Sequence, residues 1–264
     1  MNPSAQNVDR PPKGGRSTLK RQETIAALAF ISPWILGFLI FTAGPMAISL
    51  YLSLTEYDII NAPRFVGLTN YELLLRDARF SLSLTNSMIY AALHVPAMIV
   101  VALSLALILN QVGRAAGFFR TAFYLPSITP SVAVGTLWLW LLNPRVGLIN
   151  AGLSLFGIEG PGWTTDPNWI KPGIVLMGLW SVGSTVIIYL AALRDVPEQL
   201  YEASSIDGAS GWQQFRSITL PLISGAIFFT LIVNTIGALQ VFAEVYTMFF
   251  GNMESSAASS AGLF

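Results

Sequence analysis

Two groups of residues in this chain have types and spacings that bear on function, and neither is built to make or break bonds. The first is Glu202-Ala203-Ser204-Ser205-Ile206-Asp207-Gly208-Ala209, followed after a short gap by Ile218-Thr219-Leu220-Pro221. Small side chains at Ala203, Ser204, Gly208 and Ala209 let the groove of another protein approach the backbone closely, and Glu202 and Asp207 can pair with cationic or amide groups there. The chemistry is that of docking. The second group consists of polar side chains set within apolar stretches: Asn86, Tyr90 and His94, then Trp180, Ser181 and Ser184, then Asn234 and Gln240. Inside a membrane such groups face the bundle interior or a cavity, and for any one of them an interhelical hydrogen bond is the competing role. His94 has no His, Asp or Glu partner within its stretch, so it reads as a packed polar residue rather than a proton relay or metal ligand.

Catalytic patterns are missing. There are no cysteines, which excludes disulfides, thiol catalysis and Cys-ligated metal. No Gly-x-Ser-x-Gly or His-Glu-x-x-His occurs, and none of Lys13, Lys20 and Lys171 follows glycine in the phosphate-binding Gly-x-x-x-x-Gly-Lys pattern. No metal site is expected. With 14 basic and 14 acidic residues the net charge is zero, so nothing points to nucleic acid.

These residues must be positioned by a membrane bundle. The chain is 264 residues long, 53% hydrophobic and 11% charged, with a mean hydropathy of +0.61, against ~25% charged residues in a soluble domain. Charges bound five apolar stretches, each long enough for the roughly 20 residues that cross a ~30 Å hydrocarbon layer. The expected spans are Ile25 to Leu50, Thr85 to Leu109, Ala122 to Leu142, Gly173 to Leu193 and Leu222 to Val241. None of the five stretches contains a carboxylate, which weighs against a proton- or sodium-coupled secondary transporter or channel. The fold class is therefore an all-α polytopic helical bundle. The first stretch is too long, and lacks the cleavage site, to be a secretory signal.

Orientation follows from the basic residues. With the N-terminus inside, Arg10, Lys13, Arg16, Lys20, Arg21, Arg114, Arg120, Arg194 and Arg216 fall on the cytoplasmic side, against Arg64, Arg76, Arg79, Arg145 and Lys171 outside. That excess predicts a cytoplasmic N-terminus and puts the docking segment in the cytoplasm. Residues 1–24, rich in Pro, Gly, Ser and basic side chains, read as a flexible basic tail that can touch anionic lipid. Residues 25–264 read as one transmembrane domain. Prolines at 33, 45, 96, 126 and 130 fall within spans, where they kink helices or pack passively. The outer segment from Asn143 to Ile170, with Gly160-Pro161-Gly162-Trp163 and Trp169, suggests a loop resting at the lipid interface.

Within residues 195–221 the local signals predict two short helices. Pro197 suits the first turn of the first, with Asp195 and Glu198 complementing its dipole. Gly208 can adopt positive φ and end that helix. Ser210-Gly211-Trp212-Gln213 fits a capping box opening the second, which carries Trp212, Phe215 and Ile218 at three-residue intervals. Pro221 marks the turn into the last span. The expected shape is an L.

The spaced set Glu202-Ala203-Ser204, three residues, Gly208, nine residues, then Ile218-Thr219-Leu220-Pro221 resembles the Glu-Ala-Ala coupling loop of permease subunits of binding-protein-dependent ABC importers. Ser204 stands where that family usually has its second Ala. Phe65-Val66-Gly67-Leu68-Thr69-Asn70-Tyr71, Phe123-Tyr124-Leu125-Pro126 and Trp138 with Trp140 before Asn143-Pro144 are similar to the carbohydrate and glycerol-phosphate branch, over roughly Ile25 to Met248. The resemblance implies a multi-pass subunit of a prokaryotic cytoplasmic (inner) membrane that imports sugars or related polar solutes. It assigns Glu202, Ala203, Ser204, Asp207, Gly208, Ala209, Ile218, Leu220 and Pro221 to ATPase coupling. It implies two ABC ATPase subunits, a second permease subunit and an extracellular or periplasmic solute-binding protein, with surrounding membrane lipid. This chain then holds no cofactor and is no enzyme, ATP and Mg being bound by the partner subunits. Asn86, Tyr90, Trp180, Asn234 and Gln240 are the candidates for a solute pathway, since amide and aromatic groups suit sugar hydroxyls and sugar faces. The family core has six spans. Residues after Glu244 are too few and too polar to form the sixth, so a truncated sequence ending outside is expected. A membrane-embedded enzyme is the remaining rival, with no nucleophile or metal site to support it.

Overall fold

The structure, a computed structural model, describes residues 15–112 and 116–249, with side chains from Lys20 onward. Backbone proximity divides the chain into two compact units that meet in sequence at Arg76 and Asp77.

In the first unit, helix α1 (Gly15–Phe38) passes through a widened π turn at Leu39–Ala43 into α2 (Gly44–Ser53). Residues 15–24, expected to belong to an irregular tail, are thus helical; residues 1–14 lie outside the described part. The π turn has a local cause. Pro45 has no N–H and its ring collides with the carbonyl four residues back. One extra residue in the turn relieves that collision, and Gly44 N–H donates instead to the Leu39 carbonyl five residues away. The continuous helix from Lys20 to Ser53 is long and apolar enough to cross a membrane. It exposes bulky apolar groups such as Phe30 and Phe41, as a helix surrounded by lipid or other helices does.

After α2 a two-residue antiparallel ribbon pairs Thr55 with Phe65 and Glu56 with Arg64. It carries an exposed 2.9 Å ion pair between Arg64 and Glu56. Asn70, in α3 (Thr69–Arg76), ties the ribbon to α2 by donating from Nδ2 to the carbonyls of Ser53 and Thr55, 2.9 Å each. That gives the Phe65–Tyr71 segment a structural role.

The second unit is organised on α4 (Ala78–Gln111), opened by the Asp77 side chain accepting from Arg79 N–H. Its buried residues Tyr90, His94, Met98, Ala102, Ala106 and Leu109 recur at three- or four-residue intervals, which gathers them on one face. Ala102 and Ala106 are fully buried, as is Tyr189 on α9 (Gly183–Arg194). Small residues four apart let a neighbouring backbone come close, which in lipid is the main route to helix association.

The expected third and fourth spans are not straight. The third divides into α5 (Ala116–Tyr124), a 3-10 turn at Leu125–Ile128 and α6 (Ser131–Leu141), with a bend of 101°. Pro126 and Pro130 cause it: Pro130 forces Thr129 into extended backbone (φ −76°, ψ 133°) and cannot donate to continue the helix. The fourth divides into α8 (Pro167–Leu179) and α9 with a 54° bend. Among the described residues three helices, Lys20–Ser53, Ala78–Gln111 and Ser224–Phe249, are long and apolar enough to cross a membrane, and five spans result if each bent pair counts as one.

Between the bent pairs, α7 (Leu148–Ser154) is fixed by Asn150. Its Nδ2 donates to the carbonyls of Pro144 and Pro161, and its Oδ1 accepts from Trp163 Nε1 at 2.7 Å. The last span among the described residues is α13 (Ser224–Leu239) and α14 (Ala243–Phe249), interrupted near Gln240. It extends past the expected end at Val241. The expectation of no sixth span falls on residues 250–264, outside the described part.

Candidate functional sites

The segment 195–221 forms the expected helix pair, α10 (Glu198–Ile206) and α11 (Gly211–Gln214). Pro197 stands one step earlier than expected, at the N-cap, and Asp195 closes α9 instead of opening α10. Gly208 has φ +78°. Its N–H donates to the Ser205 carbonyl and that of Ala209 to the Ser204 carbonyl, at 3.1 and 2.9 Å. This is the Schellman arrangement, which satisfies the last carbonyls of a helix and reverses the chain.

Across the elbow, Ser210 N–H donates to Gln213 Oε1 at 2.7 Å and Gln213 N–H donates to Ser210 Oγ at 3.4 Å, completing the capping box. Gln214 Nε2 then donates back into α10, to Ser204 Oγ at 3.0 Å and Ser205 Oγ at 2.9 Å. Tyr201 and the buried Thr219 share a hydroxyl–hydroxyl bond of 2.8 Å. The serine at position 204 is therefore more than a tolerated exchange for Ala: its hydroxyl helps lock the two arms of the L together.

A second π turn spans Phe215–Thr219, before α12 (Leu220–Leu222). Leu220 N–H donates to the Phe215 carbonyl, and Pro221 follows at the same offset as Pro45 after the first π turn. The cause is again the missing proline donor and the crowded carbonyl. Trp212 and Phe215 stack with centroids 5.4 Å apart. A groove of about 860 Å³ lies between these rings and the end of α4, with Asn110, Gln111 and Tyr201 on its walls. Glu202, Ala203, Asp207 and Gly208 are exposed, Ser204 and Ala209 half-buried. A Cβ placed on Gly208 would have no neighbour within 4 Å. Ile218 is half-buried, and Leu220 and Pro221 are exposed.

The polar candidates are only partly brought together. A cavity of about 350 Å³ is lined by Tyr90, His94, Ser181, Ser184 and Asn234. Asn86 is buried on α4 outside it, and Gln240 is exposed at the end of α13. Trp180 packs edge to face on Trp138, centroids 6.2 Å apart, against the apolar core. The bends add Ser127, Thr129 and Ser131 to the walls.

Glu244 also lines this cavity, from within the span Ser224–Phe249. The expectation that the spans hold no carboxylate is corrected by this residue. Asn234, Gly237, Val241 and Glu244 all line the cavity, but the helix is interrupted at residues 240–242 between them, so regular helical spacing alone does not place Glu244 there.

Glycine shapes the wall opposite. A Cβ on Gly178 would lie 2.5 Å from His94 Cε1 and 2.9 Å from the Tyr90 hydroxyl, so only glycine lets α8 pass these rings at this distance. Gly183 is pressed still closer against the Phe123 carbonyl. Among the described residues no group of His, Cys, Asp and Glu could hold a metal ion.

Residues 98–262 match the family of binding-protein-dependent transport system inner membrane components. Over 229 residues, 86% of this chain and 74% of the relative, the sequence is 40% identical to the probable ABC transporter permease protein YesP of Bacillus subtilis. It is 38% identical over 235 residues to the lactose transport system permease protein LacF of Rhizobium radiobacter, covering 88% of this chain and 78% of that one. The fold is similar to a chain in the crystal structure of a bacterial alginate ABC transporter in complex with an alginate pentasaccharide-bound periplasmic protein. The TM-score is 0.70 and the identity 26%, covering 94% of this chain and 90% of that chain.

Proposed function

This chain belongs to the inner-membrane components of binding-protein-dependent transport systems, and we propose that its segment 195–221 is the element through which a separate ATPase drives it. The chain is a membrane-spanning permease subunit of an ATP-driven importer. The observation that carries the coupling assignment is the elbow itself. Glu202, Ala203, Asp207 and Gly208 stand exposed on a helix pair braced from behind by Gln214 and Tyr201. A rigid, small-featured projection transmits displacement to the helices it joins, here α9 and α13, instead of yielding.

Two ATPase subunits receive the elbows of this chain and of a second permease subunit, and ATP and Mg stay with those ATPases. An external binding protein delivers the solute, and the N-terminus faces the cytoplasm. The solute is a sugar or related polar molecule. Similarity to a lactose permease and to an alginate transporter supports this, as do the polar walls of the cavity around Tyr90 and Asn234.

The test is uptake by the assembled importer in proteoliposomes when the ATPase P-loop lysine is replaced. Uptake is expected to stop. Uptake that persists, driven by a proton gradient, would make this chain a self-sufficient transporter, with Glu244 as its intramembrane carboxylate.

A further inference from the structure

The segment joining the two bent spans carries an apolar surface that the bundle leaves uncovered. Helix α7 contains no charged residue. Its inner side turns Ile149 onto the core, while Leu148, Ala151, Ser154 and Leu155 are exposed, three or four residues apart and so on one face. A helix standing in water carries charge on its outer face, as the elbow helix α10 does with Glu198 and Glu202. Helix α7 is apolar on both sides. The same surface continues past its end, where Ile158 N–H donates to the Leu153 carbonyl at 3.1 Å and Gly157 N–H to the Ser154 carbonyl at 3.0 Å. With Gly157 at φ +72° the chain reverses in a fixed turn. Leu155 and Phe156 stand at its tip, 85% and 82% exposed.

Bulky apolar groups gathered at one braced point mark contact with a membrane or with another protein. Two observations select the membrane. Trp140 in the last turn of α6 and Trp169 in the first turn of α8 are both exposed, and tryptophan at the ends of spans sits at headgroup level. The segment therefore leaves and re-enters the bundle at the height of the lipid surface. Beside the tip, a cleft of about 430 Å³ has Arg145, Glu159 and Ile158 on its walls. One charge of each sign complements the phosphate and the ammonium of a zwitterionic lipid headgroup.

We propose that Leu148 to Ile158 is an interfacial anchor whose Leu155–Phe156 tip enters the acyl boundary of the leaflet opposite the elbow, with zwitterionic headgroups seated at Arg145 and Glu159. The anchor holds the adjoining ends of α6 and α8 at a constant depth. Changes in the bends at Leu125–Ile128 and between α8 and α9 are then expressed at the far ends of the two spans, towards the elbow. This goes beyond the importer reading, since it concerns how the bundle is seated in lipid, and it takes α8 and α9 as one crossing.

The experiment measures depth. The chain contains no cysteine, so Phe156→Cys or Leu148→Cys takes a single nitroxide, and the full chain is assembled with cysteine-free partner subunits in nanodiscs of phosphatidylethanolamine and phosphatidylcholine. Relaxation of the nitroxide by oxygen, which concentrates in lipid, is compared with relaxation by a water-soluble nickel chelate. The label at position 156 is expected about 5–10 Å below the headgroups, reached by oxygen and not by nickel. Replacing Leu155 and Phe156 together by Asp disturbs no packing within the chain, since both side chains stand clear of it, and should shift the Leu148→Cys label outward to where nickel reaches it. A label at 156 that nickel reaches, and that only an added external binding protein shields, would assign the tip to that protein and overturn the proposal. A label shielded from both reagents would assign it to a second permease subunit, with the same result. A Leu148→Cys label unmoved by the double replacement would also overturn it. ATP-driven uptake by the same particles shows separately whether the importer reading stands.

Discussion

Replacing Ala203 by Trp separates the folding role of the elbow from its docking role. Ala203 is exposed on α10 and already carries a Cβ, so the larger side chain projects into solvent in the isolated subunit. The cost to the fold is then limited to the helix-propensity difference, at most about 0.7 kcal/mol. Gly208 gives a companion series. At φ +78° a side chain costs about 1–2 kcal/mol in backbone strain, Asn less than others because it tolerates this region. No neighbour lies within 4 Å of the added Cβ, so Gly208→Leu meets no obstacle at its Cβ beyond the backbone strain. Membrane levels and the melting temperature of Ala203→Trp and Gly208→Asn should therefore stay near wild type. If the elbow seats in an ATPase groove, Ala203→Trp and Gly208→Leu should lower ATP-driven uptake by tenfold or more while the ATPase continues to hydrolyse ATP, uncoupled. The assay is paired uptake and phosphate release from proteoliposomes holding the assembled importer. Wild-type uptake by Ala203→Trp would refute the reasoning, because nothing in the folded subunit masks that side chain.

Two further substitutions test how the elbow and the bundle are braced. Tyr201→Phe removes the 2.8 Å bond to the buried Thr219 and should cost about 1 kcal/mol, read as faster amide exchange across α10 to α12 with the remaining bundle unchanged. Tyr189→Phe deletes the buried 2.5 Å hydroxyl bond to Thr230 that joins α9 to α13. Such bonds average about 0.6 kcal/mol in membranes, so thermal unfolding in detergent should show a small, uniform loss.

The elbow was legible in the sequence because its signals are local. Gly208 and the Ser210–Gln213 box each act within a few residues, and the structure gives them the backbone they predict. Membrane spans were legible because apolar length is a composition property. What escaped depends on geometry between distant residues or on small departures from ideal helix. The π turns at Leu39–Ala43 and Phe215–Thr219 preserve a continuous apolar run while shifting every later residue by a fraction of a turn. The 101° bend at Pro126 and Pro130 shows as prolines in the sequence, but prolines in spans also sit quietly, as Pro96 does inside α4. Trp180 was indistinguishable from a cavity residue until its packing on Trp138 was visible. Glu244 was lost because a charge was read as the end of a span, when a carboxylate facing a polar cavity is compatible with membrane depth.

The central claim is that residues 198–209 meet a cytoplasmic ATPase. The chain contains no cysteine, so Ala203→Cys introduces a single reporter. A membrane-impermeant maleimide should label it in inside-out vesicles, label it poorly when the ATPase subunits are bound, and fail to label it in right-side-out vesicles. Labelling from the external face, or labelling indifferent to the ATPase, would contradict the account.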